Sequence, residues 1–264
     1  MSTVASSTES LPNAAARMSM AGRVTIVTGA SSGLGHRFAN VLAEAGATVV
    51  AAARRLDRLE QLAAESDSIV PVACDVSVPD DRERLVATTM ERFGQIDVCV
   101  NNAGIAAGGA AEDVSLADFR KVLEVNVDAI FAISQQVGAH MVKRRSGSII
   151  NVSSMFGQVA SSPIPESSYV TSKHAVNGLT RELGVQWAKC GVRVNAIAPG
   201  WFPSEMTQEL LQGERAKKWM ERNCPMGRVG RVDELDGVLL FLASDASTYC
   251  TGQIIAVDGG WTAR

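Results

Sequence analysis

The sequence contains no apolar run approaching the roughly eighteen residues that a membrane span requires. It has no excess of positive charge either: 25 Lys and Arg against 28 Asp and Glu leave a net charge of −3. Nucleic-acid binding ordinarily shows as a basic patch and a high pI, so neither a membrane nor a nucleic-acid partner is expected. There is no low-complexity tract, and 46% hydrophobic with 20% charged residues is too apolar for a disordered chain. Histidine is scarce. His36, His140 and His174 form no sequence cluster with Cys74, Cys99, Cys190, Cys224 or Cys250, so no metal site is expected. The five cysteines are odd in number, widely spaced and never paired as C-x-x-C, which points to a reducing, cytoplasmic setting. Met1 to Met20 lacks the apolar stretch of a secretory signal and reads as a disordered leader, residues 1–20, ahead of one domain at 21–264.

What is present is an alternation of short apolar runs with helical patterns. Strands are expected at Arg23–Thr28, Thr48–Ala53, Ser68–Ala73, Asp97–Val100, Ser148–Val152, Val192–Ala198 and Ile254–Val257. Helices are expected at Arg37–Ala45, Leu56–Ala64, Asp80–Arg92, Leu116 to about Lys143, and Tyr169–Lys189. Strands that read as unbroken apolar runs between helices imply a parallel sheet covered on both faces. The expected fold is therefore a single α/β domain of Rossmann type, a doubly wound parallel seven-stranded sheet. A segment at about 200–226, rich in aromatics and Met, interrupts the alternation as a binding lid would.

The first strand ends in Thr28-Gly-Ala-Ser-Ser-Gly-Leu-Gly35. A glycine-rich turn between a strand and a helix brings backbone N–H groups and the positive helix end toward a pyrophosphate. Strict G-x-G-x-x-G fails, because Phe38 stands where the third glycine would be, and no P-loop Gly-Lys-Ser/Thr follows. The second strand ends in Arg54-Arg55 with no acid at its tip. An acid there suits the ribose 2′-OH of NAD, and an Arg suits a 2′-phosphate, so Arg54 favours NADP(H), with NAD(H) as the alternative. Tyr169 and Lys173 are spaced i, i+4 and share one helix face. An ammonium beside a phenol favours the phenolate and lowers its pKa.

Thr28 to Gly35, Asn101-Asn-Ala-Gly104, Asn126, Ser154, Tyr169, Lys173 and Pro199-Gly200 stand in the order and spacing of the short-chain dehydrogenase/reductase family, which the chain resembles from about Gly22 to Thr262. The resemblance is to the single-domain type of about 250 residues. Its implications follow residue by residue. Tyr169 is the general acid in carbonyl reduction and the base in alcohol oxidation. Ser154, three before Gly157 and so preferred over Ser153, holds the reacting oxygen. Lys173 holds the nicotinamide ribose and lowers the Tyr169 pKa, and Asn126 anchors a water behind it. Gly29, Ser31, Ser32, Gly33, Leu34 and Gly35 form the phosphate turn. Asp75 and Val76 meet the adenine, Asn102, Ala103 and Gly104 run under the cofactor, and Pro199, Gly200, Phe202 and Ser204 meet the nicotinamide end. Two features depart from the commonest family pattern: fourteen residues with Pro163 and Pro165 between Ser154 and Tyr169, and Ser204 where Thr is frequent.

The activity implied is NAD(P)(H)-dependent interconversion of a ketone and a secondary alcohol, by a homotetramer acting on a small molecule. The lid phrase Phe202–Thr207 and the closing Val257-Asp-Gly-Gly-Trp261 look similar to gluconate-5-dehydrogenase-like and 3-oxoacyl-carrier-protein-reductase-like members. An extended-branch epimerase or dehydratase shares Tyr-x-x-x-Lys but pairs it with T-G-x-x-G-x-x-G and a longer C-terminal part. A catalytically silent cofactor-binding regulator would not need all four of Asn126, Ser154, Tyr169 and Lys173. His174 is expected to point away from the site, and Glu166 to serve the helix N-terminus or to touch substrate. Trp201, Phe202, Met206, Trp219 and Met220 suit an apolar lid or a subunit contact, and Arg215, Lys217 and Lys218 a solvated helix face.

Overall fold

The computed structural model describes residues 13–161, 164–208 and 212–264. A short helix, α1 (Ala14–Arg17), precedes β1 (Val24–Thr28), α2 (Gly33–Glu44), β2 (Thr48–Ala53), α3 (Leu56–Ala63) and β3 (Ile69–Ala73). Next come α4 (Pro79–Phe93), β4 (Val98–Asn101), α5 (Leu116–Leu123), a π-helical turn (Glu124–Asp128), α6 (Ala129–Arg144) and β5 (Gly147–Val152). The chain continues through α7 (Ser167–Ala188), β6 (Val192–Pro199), α8 (Glu214–Asn223), α9 (Asp236–Ala243) and β7 (Ile254–Val257).

All seven strands pair in parallel in the order β3-β2-β1-β4-β5-β6-β7. The order reverses between β1 and β4, and a crevice opens there beyond the carboxyl ends of the strands. The apolar runs have a simple cause. Along β1 and β2, Val27, Val49 and Ala51 face one layer of helices, while Ile26, Val50 and Ala52 face the other. The first layer buries Phe38 and Leu42 of α2 with Leu239 and Leu242 of α9. The second buries Leu85 of α4, Ile133, Val137 and Met141 of α6, and Leu183 of α7. Each such side chain contributes about 1.5–3 kcal/mol on burial. Pro71, which cannot donate to a ladder, sits on the edge strand β3.

Local signals set the helix ends. α4 begins at Pro79 with Asp80 and Asp81 in its first turn, and ends at Gly94, whose φ of 71° suits glycine. The seven expected strands lie within a residue or two of their observed bounds. The expected continuous helix Leu116–Lys143 is instead broken by the π-helical turn. Of the expected leader, residues 1–12 lie outside the described residues. The packed chain, however, begins before Ala21: Asn13 caps α1 and Met20 is fully buried against the first helical layer. α9 was not expected, because Gly237–Ala243 is apolar almost throughout and has no helical period to read.

No helix among the described residues is long and apolar enough to cross a membrane. No cluster of His, Cys, Asp or Glu among them suits a metal ion. All five cysteines are free thiols, and burial pushes Cys74 up to about 11 and Cys99 up to about 12.

Candidate active site

At the strand-order reversal lies a cleft of about 690 Å³. The glycine turn forms one end. Gly29 has φ 69°, and a Cβ there would stand 2.8 Å from Asn102 Nδ2 and 2.9 Å from Ala103 Cα. A Cβ on Gly35 would collide with the Gly29 carbonyl oxygen, so Gly35 lies behind the cleft and lets α2 pack against the turn. The Thr28 hydroxyl fastens the next segment: Asn102 N–H and Ala103 N–H donate to Thr28 Oγ1 at 3.0 and 3.1 Å, and Asn102 Nδ2 donates to Thr28 O at 2.9 Å. Ser31, Ser32, Gly33 and Leu34 line the cleft above it. Ser32 is the N-cap of α2 but makes no side-chain capping bond, and α2 has no acid of its own in the first turn.

Arg54, Asp75 and Val76 line the far end, and Gly104, Pro199, Gly200, Phe202 and Ser204 the other side. Asp75 Oδ1 accepts from Ser77 Oγ at 2.7 Å and Ser77 N–H at 2.9 Å, which fixes the turn after β3. Phe202 is also buried in the core, whereas Met206 is exposed at the cleft's rim. Two residues at this end carry an interaction that sequence reading missed. Arg55, not Arg54, hydrogen-bonds the glycine turn, donating to Ser31 Oγ at 3.1 Å and Ser32 Oγ at 3.0 Å. Its guanidinium also pairs with Glu205 at 2.9 Å. The hydrogen bond to Arg55 holds the Glu205 carboxyl below the usual carboxylate range.

At the opposite end Ser154, Tyr169 and Lys173 converge. β5 delivers Ser153 and Ser154, and their roles separate. Ser153 Oγ donates to Asn177 Oδ1 at 2.7 Å within the core, while Ser154 lines the cleft and its Oγ accepts from Phe156 N–H at 3.1 Å. Tyr169 lies in the first turn of α7, which is roofed by the loop after β4. There Gly109 N–H donates to Pro165 O at 3.0 Å and Ser168 Oγ to Ala107 O at 3.3 Å. Lys173 is buried, its Nζ 5.4 Å from the Tyr169 ring centroid and donating to Val152 O at 2.9 Å. Asn126 lies fully buried behind them on the π-helical turn, its amide bonded to Ile105 and Ser172. Such turns insert a residue and re-aim a side chain, and the apolar spacing of Leu116–Lys143 gives no sign of one.

Burial dominates the electrostatics at this end of the cleft. Burial pushes the Tyr169 phenol up to about 12, the Ser154 hydrogen bond draws it partly back, and the Glu166 carboxylate adds to the rise. Burial also lowers Lys173 to about 8, since a buried ammonium loses its hydration. Burial is thus the largest influence on both groups, and it acts against the charged form of each. Glu166 is the N-cap residue of α7, yet its side chain makes no capping bond, and desolvation raises its pKa. His174 is exposed and bonds Val170 O at 3.0 Å, away from the chemistry.

The other lid residues form a third apolar cluster. Met155, Phe156, Trp201, Met220 and Trp261 pack there with Tyr169 and Trp219 alongside. Phe156, Trp201, Trp261 and Trp219 follow one another edge to face at 5.6–5.9 Å. Arg215, Lys217 and Lys218 lie on the solvated face of α8, where Lys218 pairs with Glu214 at 3.7 Å. Pro163 lies outside the described residues.

Residues 29–262 match the family model described as Enoyl-(Acyl carrier protein) reductase. The chain is 38% identical to 2-dehydro-3-deoxy-D-gluconate 5-dehydrogenase of Bacillus subtilis, covering 93% of this chain and 97% of that one. It is 37% identical to a 3-oxoacyl-[acyl-carrier-protein] reductase of Thermotoga maritima, over 92% of this chain and 99% of the other. Among solved structures it is similar to a gluconate 5-dehydrogenase from Burkholderia cenocepacia in complex with NADP and tartrate. The TM-score there is 0.90 at 33% identity, with 96% of this chain and all (100%) of that one covered. A short-chain type dehydrogenase/reductase from Mycobacterium marinum superposes with TM-score 0.90 at 37% identity, over 94% and 98% of the two chains. The fold, the cleft and these likenesses agree, and the chain belongs to the short-chain dehydrogenase/reductase family of oxidoreductases.

Proposed function

We propose that the protein is an NADP(H)-preferring oxidoreductase that interconverts a ketone and a secondary alcohol, with Tyr169 as the general acid and base. The observation that carries the reading is the convergence of Ser154, Tyr169 and Lys173 at one end of a cleft whose other end is a glycine turn with two arginines beside it. The residues fit a dinucleotide. The uncapped N-terminus of α2 suits a pyrophosphate, and a Cβ on Gly104 would crowd Asn126 Oδ1 at 3.2 Å on the floor between the two ends. When bound, NADP(H) supplies or accepts the hydride at the carbonyl carbon.

The chain's own part is binding, orientation and proton handling. The Ser154 hydroxyl donates to the substrate oxygen and holds it against the Tyr169 phenol. Tyr169 as the phenol delivers its proton to that oxygen in reduction, and as the phenolate it accepts the substrate hydroxyl proton in oxidation. Lys173, fixed by Val152 O, stands close to charge developing on the phenol oxygen and favours the phenolate as the proton leaves. Asn126, Ile105 and Ser172 keep the π-helical turn and α7 in register around it.

The substrate class follows the relatives, whose names include gluconate 5-dehydrogenase and 3-oxoacyl-[acyl-carrier-protein] reductase. A homotetramer is supported by the exposed Leu116 of α5, Phe131 of α6 and Val185 of α7. The free cysteines support a cytoplasmic location. The test is a panel of sugar acids, polyols and 3-oxoacyl thioesters, assayed with NADPH and NADH by absorbance of the reduced nicotinamide. Turnover of at least one ketone with higher kcat/KM for NADPH is expected. Turnover with NADH alone would overturn the cofactor preference.

A further inference from the structure

The cofactor end of the cleft holds an ion pair that the chemistry at Tyr169 does not need. Arg55 ends the segment after β2, and Glu205 lies 150 residues away on the turn Phe202–Thr207. Glu205 Oε1 accepts from Arg55 Nη1 at 3.0 Å, and Oε2 accepts from Arg55 Nη2 at 2.9 Å and from Ser32 Oγ at 3.0 Å. The guanidinium is at the same time anchored on Ser31 and Ser32. Two anionic oxygens thus sit in a guanidinium fork, with a serine hydroxyl closing a third side. That donor set also suits a phosphate monoester.

The turn that carries Glu205 is built to reach this place. Thr207 Oγ1 donates to Phe202 O at 2.6 Å, and Thr207 N–H donates to Ser204 O at 3.1 Å. Ser204 lies directly against the glycine turn, since a Cβ on Gly33 would stand 3.4 Å from Ser204 Cβ. The pair is half in solvent, 42% and 52% exposed, where an ion pair is weak enough to exchange partners.

We propose that Glu205 is a specificity-determining residue that stands in for the 2′-phosphate of NADP(H), occupying the Arg55, Ser31 and Ser32 donors until the phosphate displaces it. The inference rests on the NADP(H) reading above. NAD(H) carries no group to displace the carboxylate and leaves the pair intact. Glu205 therefore competes with NADP(H) alone and tempers the preference between the two cofactors. Because only the fraction of molecules with Arg55 released binds the phosphate, the apparent affinity falls by that fraction.

The test is calorimetric binding of 2′,5′-ADP and 5′-AMP to wild type, Glu205→Gln, Arg55→Ala and the double variant, with thermal unfolding to confirm that each is folded. 2′,5′-ADP is expected to bind Glu205→Gln about three- to tenfold more tightly than wild type, while 5′-AMP is unchanged. In the Arg55→Ala background the Glu205→Gln change is expected to have no effect. Equal affinity of wild type and Glu205→Gln for 2′,5′-ADP overturns the proposal. So does an undiminished gain in the Arg55→Ala background, which would mean plain charge repulsion. Wild type binding 2′,5′-ADP no better than 5′-AMP would instead overturn the NADP(H) reading itself.

Discussion

The Asn126 side chain pairs with both backbone groups of Ile105: Nδ2 donates to Ile105 O and Oδ1 accepts from Ile105 N–H, each at 2.8 Å. A third bond, to Ser172 Oγ at 3.0 Å, reaches α7 one residue before Lys173. One buried amide therefore ties the loop after β4, the π-helical turn and α7 together. Asn126→Ala leaves Ile105 N–H and C=O without those partners, and is expected to cost about 2–4 kcal/mol. Urea unfolding measures it, and an unchanged midpoint would contradict this role.

The close approach of Gly35 to the Gly29 carbonyl makes a second position sensitive. Gly35→Ala forces α2 away from the glycine turn and the Asn102 amide. The expected cost is about 1–3 kcal/mol of stability, accompanied by loss of NADPH binding. Fluorescence titration with NADPH reports the second effect; wild-type affinity would show that the helix end tolerates the shift.

Tyr169 and Tyr249 are the only two tyrosines, and Tyr249 is fully exposed. Tyr249→Phe leaves Tyr169 as the sole phenol, so ultraviolet titration of phenolate reads it alone. With its pKa pushed up to about 12, the phenol is expected to remain almost wholly protonated at the ordinary tyrosine midpoint near pH 10. Half-ionisation at or below that pH would contradict the raised phenol.

Lys173 gives stability a pH dependence of defined sign. Its pKa is lowered from 10.5 to about 8 by burial. Below about 8 both states carry the proton, and the fold bears the cost of a buried ammonium. Between about 8 and 10.5 the folded protein sheds the proton while the unfolded chain keeps it, so stability rises with pH in that window. Relative to Lys173→Met, wild type is expected to gain about 2 kcal/mol between about pH 7 and pH 10. A gap that stays constant with pH would show that Lys173 titrates normally.

Much of this molecule was legible in its residues. The seven strands were, because a sheet buried on both faces makes each one a β-branched or alanine run such as Val49–Ala53. The bond from Ser153 Oγ to Asn177 could not be read from the sequence, since it joins the end of β5 to the middle of α7. Other features were not legible. α2 starts at Gly33 rather than Arg37, because glycines conceal a helical first turn. The π-helical turn leaves the apolar period of its helix undisturbed. Which of Arg54 and Arg55 faces Ser31 depends on how the chain leaves β2, and the match of Arg55 to Glu205 exists only in three dimensions. Asn101 and Asn151 are a further case. They are register partners on β4 and β5 whose side chains bond at 2.9 Å and continue to Thr180 at 2.9 Å, a buried polar line that locks α7 to the sheet.

The central assignment is that Tyr169 passes the proton, and Tyr169→Phe tests it most directly. It removes one hydroxyl and keeps the ring packed against Lys173. With a ketone turned over by wild type, kcat/KM is expected to fall by about 10²–10⁴-fold while the NADPH dissociation constant stays within about twofold. A Tyr169→Phe enzyme that binds NADPH normally and keeps wild-type kcat/KM would contradict the account.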